Sequence, residues 1–251
     1  MPTAKRVLVT RPQGQQEHLC ELLSSAGYEP RYQPLLELQP LQQLSVGLKQ
    51  MVMDLDLYQH VIFVSSNAVR FAMRWFDDYW PQLPTAVNWC AVGPASAALL
   101  ADRGLSVTVP PQLMSSEGLL AMAELDHVGD ERVLLVRGEG GRTKLRDTLL
   151  ARGARIDELV CYRRCAPDMP AGQLAGVLSG CQAVLISSGD ALGNMLALLS
   201  AEDRIKYRSI ALVVPSQRVA DVADAVGFTC IIEAANATDE AMLQALKGQR
   251  H

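Results

Sequence analysis

The chain is written twice, and this duplication limits the folds open to it more than any other feature. Arg6-Val-Leu-Val-Thr-Arg-Pro-Gln-Gly14 matches Arg132-Val-Leu-Leu-Val-Arg-Gly-Glu-Gly140 at an offset of 126 residues. Arg6/Arg132, Val7/Val133, Leu8/Leu134, Arg11/Arg137, Gly14/Gly140, Leu19/Leu145, Leu23/Leu149 and Gly27/Gly153 are identical pairs. Val61-Ile-Phe-Val-Ser-Ser-Asn67 recurs as Ala183-Val-Leu-Ile-Ser-Ser-Gly189 at an offset of 122. Ala91-Val-Gly-Pro-Ala-Ser96, through Gly104, recurs as Val214-Pro-Ser-Gln-Arg-Val219, through Gly227, at an offset of 123. Solenoid units run to about 20–50 residues, so a repeat this long predicts two related lobes rather than a stacked array. A ligand commonly sits in the crevice between such lobes.

Within each copy the pattern is strand, polar loop, helix. Val7-Leu-Val is a short apolar run broken by Thr10-Arg-Pro-Gln-Gly14, and leucines at 19, 22 and 23 take helical spacing until Gly27 stops them. The unit recurs as a strand at Arg132–Val136, a loop at Arg137–Gly141 and a helix over Arg142–Arg152, stopped by Gly153. Val61–Val64, Trp89–Val92 and Val107–Val109 read as strands of the first copy; Ala183–Ile186, Ile210–Val214 and Cys230–Ile232 follow in the second. Ser115-Ser-Glu117 and Thr238-Asp-Glu240 have the form of helix starts with acidic first turns. Apolar strands alternating with helices imply a doubly wound parallel sheet in each lobe, with ligands at the carboxyl ends of the strands. Pro34–Leu44 and Leu159–Pro170 lie between repeat parts and are candidate crossings between lobes. Which half-repeats pair into one lobe is left open at this level.

Composition removes several function classes. A net charge of −4 argues against a general nucleic-acid binder, which would show a basic patch. No apolar run approaches the roughly 18 residues of a membrane helix. The N-terminal segment has two basic residues but no long apolar core, so it reads as a first strand rather than a signal peptide, and a cytoplasmic location is expected. Cys20, Cys90, Cys161, Cys165, Cys181 and Cys230 form no Cys-x-x-Cys pair, and His18, His60, His127 and His251 are isolated from one another. A zinc site is not expected.

Five segments in order resemble uroporphyrinogen-III synthases: Val-Thr-Arg-Pro (9–12), Val-Ser-Ser-Asn-Ala-Val (64–69), Ala-Val-Gly-Pro-Ala-Ser-Ala (91–97), Val-Arg-Gly-Glu-Gly-Gly-Arg (136–142) and Val-Cys-Tyr-Arg-Arg (160–164). Each motif is common alone; the ordered set spans nearly the whole chain. The resemblance implies two similar doubly wound parallel α/β lobes joined by a two-stranded connector, with a cleft between them. The first lobe would hold residues 1–34 and 166–251, the second 41–159, and 35–40 with 160–165 would form the connector. The implied reaction closes hydroxymethylbilane, a linear tetrapyrrole polycarboxylate, into uroporphyrinogen III. Hydroxide leaves the terminal hydroxymethyl carbon, the resulting azafulvene joins the substituted carbon of the last ring, and the spiro-pyrroline so formed opens and recloses with that ring inverted. No cofactor or metal is implied. The expected partner is the substrate, with no nucleic acid and no membrane. The chain is expected to be a monomer that meets the preceding pathway enzyme only transiently.

An acidic protein must build a locally favourable cleft for a polycarboxylate, and backbone N–H groups at helix starts do so without net charge. Ser65, Ser66, Asn67, Ser96, Ser187, Ser188 and Ser216 could add side-chain donors, in loops opened by Gly93, Pro94, Gly138 and Gly189. The same residue types are favoured as N-caps for local stability alone. Arg11 and Arg137 could each pair with a substrate carboxylate or hold a structural salt bridge. Gly138-Glu-Gly-Gly141 lacks the full pattern of a phosphate loop. Ser216-Gln-Arg218 could bind a carboxylate or simply start a helix. The resemblance places Tyr162 beside the connector, where a phenol protonated at neutral pH could donate to the leaving hydroxide; otherwise it is a connector residue with a packed ring. Much of the catalysis could be orientation of a reactive substrate. Two other classes fit the duplication: a non-enzymatic two-lobed small-anion binding protein, and a nucleotide-sugar transferase, against which the short chain and the weak phosphate loop count.

Overall fold

The computed structural model describes residues 5–111, 114–141 and 143–248. Among these, the strands are β1 (Lys5–Val9), β2 (Tyr28–Tyr32), β3 (Glu37–Pro40), β4 (His60–Phe63), β5 (Asn88–Ala91), β6 (Val107–Thr108), β7 (Arg132–Gly138), β8 (Arg155–Cys165), β9 (Cys181–Leu185), β10 (Ala211–Val214) and β11 (Ile231–Glu233). The helices are α1 (Glu17–Ser25), α2 (Val46–Met53), α3 (Ser66–Tyr79), α4 (Pro94–Ala101), α5 (Ser116–Leu120), α6 (Lys144–Ala151), α7 (Gln173–Leu178), α8 (Gly189–Leu198), α9 (Ala201–Lys206), α10 (Gln217–Ala225) and α11 (Asp239–Gly248). The chain divides into two compact units: Met1–Leu38 with Cys165–His251, and Gln39–Arg164.

The first unit holds a sheet in the order β11-β10-β9-β1-β2, with every neighbouring pair parallel. Strand alternation sends successive side chains to opposite faces. Val7, Val9, Ala183, Leu185, Ala211 and Val213 therefore pack with α1 and α11, while Leu8, Val184, Ile186, Leu212 and Val214 pack with α7, α8 and α10. Both faces are covered, which is why these strands read as unbroken apolar runs. The edge strand β2 tolerates Pro30 because it has a neighbour on one side only. Counted within the unit, the order is 2-1-3-4-5, the doubly wound arrangement whose topological switch point lies between β1 and β9.

The second unit holds a sheet in the order β3-β8-β7-β4-β5-β6, parallel from β8 through β6. One face packs Ile62, Cys90, Val133 and Leu135 with α5 and α6. On α3, Ala68, Val69, Ala72, Met73 and Phe76 are buried at helical spacing, and Phe76 meets Phe63 edge-on at 6.3 Å. The switch point falls between β7 and β4, so β7 and β8 occupy here the places of β1 and β2. The 126-residue repeat is thus a circular permutation of one sheet order.

Two expectations need correction. Arg137 and Gly138 are the last residues of β7 rather than a loop, because β8 continues beside them and pairs through Gly138 with Tyr162. The second repeat also slips by one residue. Ser65 and Ser188 are the structurally equivalent caps, with φ/ψ of −165°/161° and −164°/167°, and each accepts a bond from the amide three residues on, Ala68 and Ala191. The structural offset is therefore 123, and Ser187 stands in the place of Val64. The apolar runs fit either register equally well; the cap geometry decides.

Candidate active site

In the second unit, the carboxyl ends of β7, β4 and β8 bring Tyr162, Ser65 and Gly138 together. The pairing of β8 with β7 shifts between Arg137 and Gly138, opposite Val160 and Tyr162, which leaves Cys161 as an extra residue. Such a bulge re-aims the side chains that follow it. Cys161 and Tyr162 are consequently both buried, although they are adjacent in a strand. The Cys161 thiol donates to the Arg137 carbonyl at 3.2 Å, and burial pushes its pKa up to about 12.

The Tyr162 ring lies over Gly138, where an added Cβ would stand 2.4 Å from Cζ. Only glycine leaves room for the ring. Phe71 packs against it with centroids 5.1 Å apart, and the Arg164 guanidinium lies 5.9 Å from the ring centroid. The residue is 1% exposed. Its hydroxyl ends 3.3 Å from Ser65 Oγ. Ser65 is half-buried and caps α3 by accepting from the Ala68 amide at 3.1 Å. The two hydroxyls thus form a short chain from the buried phenol to a helix start.

Ser66 Oγ meets Ser96 Oγ at 3.3 Å, which joins the starts of α3 and α4; Ser96 is buried and Gly93 and Pro94 open α4. Asn67, in the first turn of α3, has a partner of its own. Arg137 is engaged inside the unit. Its Nη1 donates to Glu158 Oε1 at 2.6 Å, and its Nη2 donates to the Gly140 carbonyl. A cavity of about 120 Å³ beside this end of β7 is lined by Arg137, Arg146, Arg164, Gly138, Gly140 and Gly141. Arg142, the last residue of that motif, lies outside the described residues.

In the first unit the switch point lies where β1 and β9 end. Thr10 is fully buried and its hydroxyl donates to the Leu185 carbonyl at 2.7 Å, a contact that the Val-Thr-Arg-Pro segment does not reveal by itself. Arg11 turns inward: it pairs with Asp239 at 2.6 Å and donates to the Ala237 carbonyl at 2.6 Å. His18 also bonds Asp239, at 2.9 Å, and that bond raises its pKa from 6.5. Both duplicated arginines therefore tie their loops to an internal carboxylate. Ser187 Oγ is buried and has no hydrogen-bond partner among the described residues. Ser188 caps α8, Gly189 opens it, and Ser216 precedes α10 without a side-chain cap bond.

Among the described residues no group of three or more His, Cys, Asp or Glu side chains could hold a metal ion, and no helix is long and apolar enough to cross a membrane.

A duplicated doubly wound α/β protein with hydroxyl- and amide-rich switch points is the class that this fold and these sites define. Residues 17–244 match the family model described as uroporphyrinogen-III synthase HemD. The uroporphyrinogen-III synthase of Escherichia coli K12 is 33% identical, over 96% of this chain and 99% of its own length; that of Salmonella typhimurium LT2 is 31% identical over 96% and 99%. Crystal structures of uroporphyrinogen III synthase from Thermus thermophilus, as a mutant, and from Helicobacter pylori share the fold. Each has a TM-score of 0.66, at 20% and 14% identity, covering 98% of this chain and 98% and 100% of theirs. The chain belongs to the uroporphyrinogen-III synthase family.

Proposed function

We propose that the protein is a cyclising hydro-lyase that converts hydroxymethylbilane to uroporphyrinogen III in tetrapyrrole biosynthesis. The observation that carries this reading is the likeness to a named synthase over 96% of the chain. The buried phenol and helix-start hydroxyl at the second switch point give it a chemical basis.

In the proposed sequence the terminal pyrrole nitrogen pushes electrons toward its hydroxymethyl carbon and the C–O bond breaks. Ser65 gives its proton to the departing hydroxide, which leaves as water, and Tyr162 reprotonates Ser65. The substituted carbon of the last ring bonds to the azafulvenium carbon and forms the spiro intermediate. That intermediate fragments and recloses with the ring inverted. The proton lost as the ring regains aromaticity returns through Ser65 to Tyr162, so the sum is one water released per ring closed. Routing the proton through Ser65 follows from burial: the phenol is 1% exposed, and its hydroxyl lies 3.3 Å from Ser65 Oγ.

The helix starts at Ser65–Asn67, Gly93–Ser96 and Ser187–Gly189, with Ser216, are proposed to receive substrate carboxylates. Arg11 and Arg137 are proposed to hold these loops in place through their internal pairs. Orientation of a reactive substrate supplies much of the remaining acceleration.

The test is conversion of hydroxymethylbilane by purified protein, with isomers separated by chromatography. Type III product is expected; type I alone, from well-folded protein, overturns the assignment. Tyr162→Phe should lower kcat by roughly 10²–10⁴, the usual worth of a positioned proton donor. A variant with normal kcat and unchanged stability would reduce Tyr162 to a packing role.

A further inference from the structure

We infer that Cys161 is a positioning residue: its side chain links the end of β7 to the first turn of α3 and so sets the distance between the Tyr162 and Ser65 hydroxyls. The inference rests on the proposed reaction, in which those two hydroxyls pass the proton. The thiol takes no chemical step of its own and acts through them.

Regular strand alternation would send residues 161 and 162 to opposite faces of the sheet. The bulge cancels that, and both side chains meet α3. Cys161 Sγ donates to the Ala68 carbonyl at 3.7 Å, and the Tyr162 ring packs on Phe71, three residues further along the same helix. The extra residue of a bulge is ordinarily left unpaired. Here it is held from three directions. Its carbonyl accepts from the Leu41 amide at 3.2 Å, and its thiol shares one proton between the Ala68 carbonyl and the Arg137 carbonyl, the latter at 3.2 Å. Burial pushes the thiol's pKa up to about 12, so the sulfur keeps that proton at neutral pH.

These contacts reach both ends of the hydroxyl pair. Ala68 is the residue whose amide donates to Ser65 Oγ, at 3.1 Å. Arg137 precedes Gly138, the residue over which the Tyr162 ring lies, and Cys161 itself precedes Tyr162. A shift of the bulge therefore moves the phenol relative to the turn that carries Ser65. The two hydroxyls stand 3.3 Å apart, near the long limit of a hydrogen bond, so the pair has little slack. An S–H···O bond is weak, and its share of the folding stability is small. Its share of the alignment is larger, because a fraction of an ångström decides whether the hydroxyls touch. By the 126-residue offset the corresponding residue of the first unit is Leu35, beyond the end of β2, so the thiol-held bulge belongs to one unit only.

The test compares the full-length protein with Cys161→Ala, Cys161→Val and Cys161→Ser, alone and combined with Tyr162→Phe. Type III cyclisation gives kcat and KM, and urea titration gives stability. Cys161→Ala should lower kcat by roughly tenfold, part of the ~10²-fold cost of a misplacement of about 1 Å, and leave KM unchanged. Cys161→Val keeps the burial without a donor; it should behave alike and serves if the alanine variant does not fold. Cys161→Ser should recover most of kcat, because its hydroxyl can donate to the same carbonyls. With the phenol removed by Tyr162→Phe, Cys161→Ala should cost no further kcat, while its effect on the urea midpoint persists. Unchanged kcat in both the alanine and valine variants, beside a lowered kcat in Tyr162→Phe, overturns the positioning role alone. So do losses that multiply in the double variant, or a kcat that follows the urea midpoint with no rescue by serine. A normal kcat in Tyr162→Phe removes the phenol's part and the role of Cys161 with it. Wild-type protein that yields only type I product overturns the reaction on which both depend.

Discussion

Gly138→Ala tests how the tyrosine is seated. Its new methyl carbon would stand 2.4 Å from Tyr162 Cζ, 2.6 Å from Cε2 and 2.9 Å from Cε1. Non-bonded carbons rest about 3.5–4.0 Å apart, so the ring must move by roughly 1 Å or β7 and β8 must part. The ring has little room to move, being 1% exposed and packed on Phe71. Overpacking of this kind costs about 1–3 kcal/mol. The hydroxyl starts 3.3 Å from Ser65 Oγ, already near the long limit of a hydrogen bond, so the same displacement breaks that contact. Misplacement by about 1 Å costs on the order of 10²-fold in rate. Urea denaturation and type III cyclisation should therefore both suffer. A double-mutant cycle assigns the cause. Combined with Tyr162→Phe, which keeps the ring, Gly138→Ala should cost as much stability as in wild type. Combined with Tyr162→Leu it should cost little. An unchanged urea midpoint and unchanged rate in Gly138→Ala would refute the steric argument.

Three further outcomes follow from the contacts. Arg11→Gln should lower stability by about 1–3 kcal/mol with little change in KM, because it breaks a part-buried pair with Asp239; urea titration beside steady-state kinetics reads both, and a raised KM at full stability would make Arg11 a ligand residue instead. Iodoacetamide at mildly alkaline pH should leave Cys90 and Cys161 unmodified until the protein unfolds, since burial pushes both thiols up to about 12; mass mapping that finds either labelled in native protein contradicts this. His18 gains its raised pKa from Asp239, so its contribution to stability is present below 6.5 and fades as pH rises through the folded value. Melting curves taken on either side of that pH should lose part of their difference in His18→Gln.

What the sequence made legible follows from how much of the chain is buried on both faces. Apolar strands such as Val7–Val9, Val61–Phe63 and Leu212–Val214 announce themselves because helices cover both sides of the sheet. Edge strand β2 does not, since Tyr-Glu-Pro-Arg-Tyr carries polar residues and a proline that only an edge accepts. The site divides the same way. Hydroxyl residues at strand ends were visible, because caps have a sequence signature. The seat of Tyr162 was not. It depends on a one-residue bulge at Cys161 and on the missing Cβ of Gly138, and neither leaves a periodicity to read. The direction of Arg11 was likewise settled by Asp239, which lies 228 residues away.

The repeat offsets themselves carry a physical argument. Had the two copies folded independently, β1 would have joined strands from its own half. Instead β1 pairs with β9, and β7 with β4, so each sheet takes its opening strand–helix unit from a distant part of the chain. Parallel neighbours need matching hydrogen-bond edges and covered faces, not close sequence, so the second unit keeps the spatial arrangement of the first with its chain order permuted, 5-4-1-2-3 from β8 through β6 in place of 2-1-3-4-5. The order places the switch point, and the switch point is where helix starts converge. Duplicated sheets therefore keep duplicated ligand ends whatever the connectivity. What then distinguishes the two ends is a handful of side chains: Tyr162 on one, and Thr10 and Ser187 on the other. The phenol at one switch point and the Ser187 hydroxyl at the other should be separable by mutation, Tyr162→Phe acting on kcat and Ser187→Ala on KM.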